Sequence, residues 1–299
     1  MERQQTLCET IAFAGVGLHT GADVRLRLVP APADTGLRIR LDGGEAFGAT
    51  SESVVETRRA TVLGDGRRTV STVEHVLSAL FALGVDNALI EVDGGEVPVL
   101  DGSAAPYADA IVATGLCEQD APRRRFRIDV PAVFEDGDAA VVVSPSLSPS
   151  SSFRLRFSVD FAAPVGAQYL DVTIDAATYR SEIAPARTFG YLHEVEALLA
   201  AGLARGGSLD NALVFGPEGP LTPLLWPNEV VRHKALDLIG DFALLGAWPA
   251  FDVIAIKSGH RLHAQAVAAL RAAYPLISGR QAPPASPGST ADAAGVRVA

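Results

Sequence analysis

His233, Asp237 and Asp241 recur at i, i+4 and i+8 within residues 228–246, NEVVRHKALDLIGDFALLG. At about 100° per residue they share one stripe of a helix. Leu236, Leu238, Ile239, Phe242 and Ala243 cover most of the opposite arc. A helix with so wide an apolar face is largely buried, so the stripe points into protein or a cleft, where a carboxylate needs partners. A His and an Asp one turn apart can hold a divalent metal from one rigid element. Taken alone, the same spacing also describes a core histidine beside an acid, so a third ligand elsewhere has to decide.

His75 is the candidate third ligand, because it opens a second apolar helix in STVEHVLSALFALG, 71–84. Two histidines and one aspartate leave a fourth position open on zinc, the arrangement of a catalytic site. Glu74 adjoins His75 and suits a base acting on a metal-activated water. Ser71-x-x-Glu74 also matches a capping box, and the tetrapeptide alone favours that reading. The order Glu-His is not the H-E-x-x-H of zinc peptidases. His260 lies in KSGH, after a strand and at the mouth of the last helix, where Gly259 lets the backbone turn. A surface histidine in a strand–helix turn fits that position equally well. His193 and His263 read as ordinary surface histidines, and His19, in a glycine-rich loop, is undecided. Asp101-Gly102-Ser103 reads as a turn before a helix start.

Positioning these groups requires two similar halves. Residues 6–63 alternate apolar and polar positions in short runs, as antiparallel strands do. The helix 71–84, the strand NALIEV and a helix over 107–114 follow. The charged stretch 118–125, EQDAPRRR, is the linker candidate. After it, RFRIDVPAVF, DAAVVV and SFRLRFSVDF read as strands, with 144–152 as a surface loop. The helix 228–246, the strand AFDVIAI and a last helix repeat the earlier order. Val73-Glu74-His75 and Val231-Arg232-His233 open corresponding helices, which points to an internal duplication with His75 and His233 at a shared interface. The expected fold is α+β, with domains at 1–120 and 126–276. A helix-containing insert at 189–215 interrupts the second, and a Pro/Ala/Ser-rich tail at 277–299 is expected to be disordered.

Composition narrows the partners. The 48% hydrophobic content supports a substantial core, and no apolar run reaches the roughly 18 residues of a membrane span. The start MERQQTLCET lacks the features of a signal peptide. Two cysteines, Cys8 and Cys117, are too few to imply a disulfide framework and read as a reducing cytosol. A net charge of −10 argues against nucleic acid. An anionic substrate on a local basic patch remains open. Lys234 beside His233 and Lys257 near His260 are the only lysines.

Together these segments resemble the UDP-3-O-acyl-N-acetylglucosamine deacetylase family, the zinc amidases of lipid A biosynthesis. The resemblance spans residues 2 to about 275. It rests on GVGLHTG (15–21), STVEHVLSAL (71–80), VPVLDGSAAP (97–106), ARTFG (186–190), GGSLDNA (206–212), VRHKALDLIGD (231–241) and KSGH (257–260). It implies two β-α-α-β layered domains with the site between them, and a cytoplasmic, monomeric enzyme. His75, His233 and Asp237 would bind Zn2+, with Fe2+ the alternative metal. Glu74 would be the base, His260 the acid, Asp241 its orienting partner, and Thr188 a stabiliser of the oxyanion. Lys234 and Lys257 would meet the diphosphate of a UDP-linked acylated amino sugar, and Phe189 its sugar. The insert would form the acyl passage, with Leu18 near its mouth and Leu192 and Val195 on its apolar helix face, alongside Leu199 and Leu203. The chain departs from the family pattern at Trp226-Pro227-Asn228-Glu229, where Phe-x-Asp-Glu is common, in the loop 216–225, and at Arg58 and Arg59 near the entrance. Two rival readings are a metal amidase of the same fold acting on another N-acyl substrate, and an inactive relative that binds lipid or nucleotide.

Overall fold

The computed structural model describes residues 2–146, 153–274, 276–277, 280–281 and 296–298. Alternating side chains make its strands. In Asp23–Pro30 the valine and leucines at 24, 26 and 28 are buried while Asp23, Arg25 and Arg27 face out. Phe153–Asp160 alternates in the same way, as strands with one face on a core must.

Two sheets carry the duplication. The first runs in the order Ile11–Val16, Asp23–Pro30, Ala88–Asp93, Leu37–Leu41, Ala46–Gly48. The second contains Ala132–Asp136, Ala139–Pro145, Phe251–Ile256, Phe153–Asp160, Ala167–Ile174 in that order. Position by position the pairings agree: antiparallel, antiparallel, parallel, antiparallel in the first sheet and in the second. In each half the strand that follows the first long helix inserts at the centre. The weak V-x-H similarity in sequence therefore marks a true repeat of topology.

The helices are α1 (Glu74–Ala82), α2 (Ala105–Thr114), a single turn α3 (Ala176–Thr178), α4 (Val195–Ala200), α5 (Glu229–Ala243) and α6 (His260–Ala273). Every residue of α1 is buried, and so is every residue of α5 except Arg232 and Lys234. The two helices pack on each other between the sheets, so that Leu77, Leu236, Leu26 and Leu155, from α1, α5 and both sheets, belong to one continuous core. Gly240 permits the approach, since a Cβ there would stand 2.1 Å from the carbonyl oxygen of Glu74. This contact brings the N-terminal end of α1 against the His233–Asp241 stripe of α5.

Several expectations need correction. The stretch 118–125 is no loose linker: Leu116–Pro122 pairs with Arg3–Leu7, and Arg125–Phe126 pairs with Trp248–Pro249. Its arginines are neutralised by acids on neighbouring segments, Arg123 by Asp86 and Arg124 by Asp34. Strand pairing also brings Cys8 and Cys117 together as a disulfide, with Cα atoms 5.0 Å apart, so cysteine usage does not argue for a reducing compartment. The core of the expected surface loop, 147–152, lies outside the described residues, as does most of the tail from 277. Within that tail Val296–Val298 pairs with Ala132–Asp136. Among the described residues no helix is long and apolar enough to cross a membrane.

Candidate active site

Helix α5 presents His233 and Asp237 one turn apart, and α1 supplies His75 across the helix contact. The His233 Nδ1–H donates to the carbonyl of Ala186 at 3.0 Å. A carbonyl only accepts, so the proton is fixed there and the Nε2 lone pair faces Asp237 Oδ1 at 3.4 Å. His75 Nε2 lies 4.0 Å from the same oxygen, and the two rings meet edge to face at 5.0 Å. Asp237 Oδ1 is buried with no hydrogen-bond partner among the described residues, while Oδ2 accepts from Lys234 Nζ at 2.8 Å. Burial, reinforced by His233, pushes His75 down to about 3. Burial likewise lowers His233. Burial alone would raise Asp237, but Lys234 and the surrounding histidines outweigh it and hold the carboxyl well below the usual range. Neutral imidazoles and an ionised carboxylate converging on one point fit a divalent cation, and the Ala186 contact is the outer support that orients a ligating histidine.

Glu74 is buried, and its Oε2 accepts from the backbone N–H of Thr61 at 3.1 Å. It makes no cap. Residue Val73 occupies the N-cap without a side-chain bond, and the Ser71 N–H is taken by Gly95 at 3.1 Å. The capping-box reading is therefore wrong, because Ser71 is held in a strand bridge rather than at the helix start. Burial pushes Glu74 up to about 7, with Asp237 and Asp241 adding to it and His260 opposing. His260, first residue of α6, donates from Nδ1 to Asp241 Oδ2 at 2.8 Å. Its Nε2 stands 3.9 Å from Glu74 Oε1 and 3.9 Å from Asp237 Oδ2. Burial disfavours its charge, but Asp241, Glu74 and Asp237 together raise it to about 9.

His263 is not a surface residue. It shares a face of α6 with His260, one turn on, and lies fully buried with Nδ1 2.8 Å from the same Asp241 Oδ2. Thr61 completes the group, donating Oγ1–H to Asp241 Oδ1 at 2.5 Å. Asp241, His260 and His263 are as close as metal ligands, yet a carboxylate only accepts. The two imidazoles therefore turn protons, not lone pairs, toward it. The His75, His233 and Asp237 set differs in that respect.

Glu74, His75, His233, Asp237 and His260 line a 690 Å³ cavity that also takes in Leu18, His19, Arg59, Thr188, Phe189, Leu192 and Val195. Thr188 is fixed between Gly102, which accepts its N–H at 2.7 Å, and Leu213, which donates to its carbonyl at 2.7 Å. Its neighbour Arg187 donates Nε–H to the fully buried Glu229 at 2.9 Å. The loop carrying Leu18 and His19 is held by the buried Glu96, which accepts from His19 N, Thr20 N and Thr20 Oγ1. Gly17 makes room for that carboxylate, since a Cβ would lie 2.2 Å from its Oε2. Phe189 packs edge to face on Phe161 and on His233. Leu198 lines the cavity, whereas Leu199 is 47% exposed. The expected helix face is displaced because 192–194 is a 3-10 turn and α4 begins only at Val195. Lys257 lies outside the lining and pairs with Asp138 and Asp160 at 3.1 and 3.0 Å. Sequence reasoning missed Thr61, Glu96 and Glu229. It had a usable signal for His263 in the three-residue spacing from His260.

Known proteins supply an independent comparison. The sequence model of a family described as UDP-3-O-acyl N-acetylglycosamine deacetylase (LpxC) matches residues 4–272. A UDP-3-O-acyl-N-acetylglucosamine deacetylase of Syntrophotalea carbinolica is 46% identical over 270 residues, 88% of this chain and 86% of its own length. Proteins of the same name from Phenylobacterium zucineum and Trichormus variabilis are 45% and 43% identical, covering 90% and 88% of this chain and 93% and 96% of theirs.

Proposed function

The chain belongs to the UDP-3-O-acyl N-acetylglycosamine deacetylase family, and from that premise we propose that it hydrolyses the N-acetyl group of UDP-3-O-acyl-N-acetylglucosamine in lipid A biosynthesis. The products are acetate and the free 2-amino sugar nucleotide. The observation that carries this reading is the convergence of His75, His233 and Asp237 beside Glu74 and His260 at the end of a cavity with an apolar flank. In this reading His75, His233 and Asp237 hold one zinc ion, Fe2+ being the alternative. When bound, the ion supplies Lewis acidity, which acidifies a water and polarises the acetamide carbonyl.

The chain's own residues move the protons. Glu74 takes one proton as the water oxygen adds to the carbonyl carbon, and Thr188 helps hold the oxygen that becomes negative. The C–N bond then breaks, and His260 gives its proton to the departing nitrogen. Asp241 keeps the His260 ring in place throughout. Lys234 serves through Asp237, whose second oxygen it already neutralises, and stands ready for the diphosphate. Lys257 would exchange Asp138 and Asp160 for phosphate oxygens from outside the cavity. Phe189 would pack on the sugar, with Leu18, Leu192 and Val195 along a passage for the fatty chain. We assign the two repeated halves to 1–120 and 126–276, and place the enzyme as a monomer in the cytoplasm with its UDP-linked substrate.

The test is incubation with the acylated UDP-sugar and mass spectrometry for loss of acetyl, before and after removal of metal by a chelator. Acetyl loss that stops on chelation and returns with zinc supports the reading. A chain that binds the substrate and leaves it intact would be an inactive relative. Turnover of simpler N-acyl amides in preference to the UDP-sugar would point to the other amidase.

A further inference from the structure

We propose that His263 is a positioning residue of the deacetylation, fixing Asp241 and through it the ring of His260. The proposal rests on the deacetylase reading and adds a residue to it. Asp241 Oδ2 is shared by two imidazoles, His260 Nδ1 and His263 Nδ1, each at 2.8 Å. The other nitrogen of His263 accepts from Ser258 Oγ at 2.9 Å. Asp241 settles the tautomer: a carboxylate only accepts, so the proton sits on Nδ1 and the neutral ring takes the Ser258 hydroxyl proton at Nε2. Phe157 and Phe242 flank the His263 ring edge to face, with centroids 6.3 and 6.4 Å away. In such apolar company a polar ring is held in one orientation by its two hydrogen bonds.

The consequence for chemistry is geometric. Asp241 is fully engaged: Thr61 Oγ1 on Oδ1, and His260 and His263 on Oδ2. Without His263 the carboxylate loses one of three anchors and can shift on the remaining two. The His260 ring would shift with it, taking Nε2 away from its position 3.9 Å from Glu74 Oε1. A proton donor displaced by a fraction of an ångström loses much of its effectiveness while substrate binding is untouched. The ordinary alternative is that His263 only anchors α6 to α5 in the core, a role that makes stability, not turnover, depend on it.

Two variants separate these roles. His263→Leu fills the space and removes the N–H. His263→Asn returns an N–H close to the position of Nδ1. In the metal-loaded full-length protein we expect His263→Leu to lower kcat by about 10- to 100-fold, with KM held within about twofold. Metal content should stay at the parent level, and His263→Asn should recover most of kcat. The downfield Nδ1 proton of His260 in NMR spectra should broaden in His263→Leu and return in His263→Asn. Near-parental kcat in His263→Leu overturns the proposal, and so do equal losses of kcat in both variants that track their melting temperatures. Should His263→Leu fail to fold, Ser258→Ala decides instead: it removes one of the two hydrogen bonds that orient the His263 ring, so kcat should fall at constant KM, and an unchanged kcat overturns the proposal. If the parent protein itself releases no acetate, the deacetylase reading has failed, and the His260 Nδ1 proton signal alone decides whether His263 holds that ring: an unchanged signal in His263→Leu overturns it.

Discussion

At the scale of single residues, Glu74 and His260 are driven in directions that suit opposite tasks. Burial lifts the Glu74 carboxyl to about 7, and three carboxylates lift the His260 imidazolium to about 9. In the proposed mechanism turnover needs Glu74 ionised and His260 protonated. Activity should therefore rise as pH climbs through the lower value and fall through the upper, a bell whose limbs belong to the coupled set rather than to either residue. A kcat profile that climbs without an alkaline limb would remove His260 as the acid. The same His260 shift also links to folding. Its stabilising contribution is present below the ordinary histidine value of 6.5 and is lost as pH rises through about 9. Glu74→Gln keeps the size of the side chain and its acceptor toward Thr61. It should cost about 10²-fold or more in kcat at unchanged metal content and melting temperature. Near-normal turnover with a lowered melting temperature would return Glu74 to a structural role.

At the scale of elements, the contact between α1 and α5 sets the site, and Gly240 sets the contact. An alanine in a helix interior is normally more stable than glycine by about 1 kcal/mol. Here its Cβ would meet the Glu74 carbonyl oxygen at 2.1 Å, a backbone atom that cannot turn aside. Overpacking of this kind costs about 1–3 kcal/mol, so the clash wins. Gly240→Ala should lower the melting temperature and, by moving Glu74, lower kcat as well. A rise in both would show that the helices part freely. The insert offers a second test. Val195 opens α4 and lines the cavity, and each buried CH₂ of a fatty chain contributes about 0.8 kcal/mol. Val195→Arg should raise KM far more for long-chain than for chain-truncated substrates. Equal losses would mean that α4 only docks on the domain.

At the scale of the whole molecule, the two halves are similar in topology but not independent. Every residue of α1 is buried, much of it against α5, and a single core runs through both sheets. Residues 1–125 expressed alone would expose the outer face of α1. They should bind a hydrophobic dye and unfold without a sharp transition, whereas the full chain should melt cooperatively. A sharp transition for the fragment, monitored by circular dichroism, would show that the half folds by itself.

The sequence by itself determined which residues are candidates for the chemistry, and the repeat. Spacing put His233, Asp237 and Asp241 on one helical stripe, His75 and Glu74 came next to one another on a second helix, and the alternating strands marked both sheets. These are local signals, written in side-chain period and chain neighbours, and they survive without knowledge of the fold. Only the tertiary structure decided what depends on contacts distant in sequence. Glu74 bonds to Thr61 rather than to Ser71, since a capping box and a base look alike over four residues. His263 is buried on Asp241, since its partner stands 22 residues away on another helix. The stretch 118–125 is held by strand pairing up to Pro122 and from Arg125, and by acids that meet Arg123 and Arg124 and that no local pattern reveals. Cys8 and Cys117 pair across 109 residues, a proximity created where Arg3–Leu7 pairs with Leu116–Pro122.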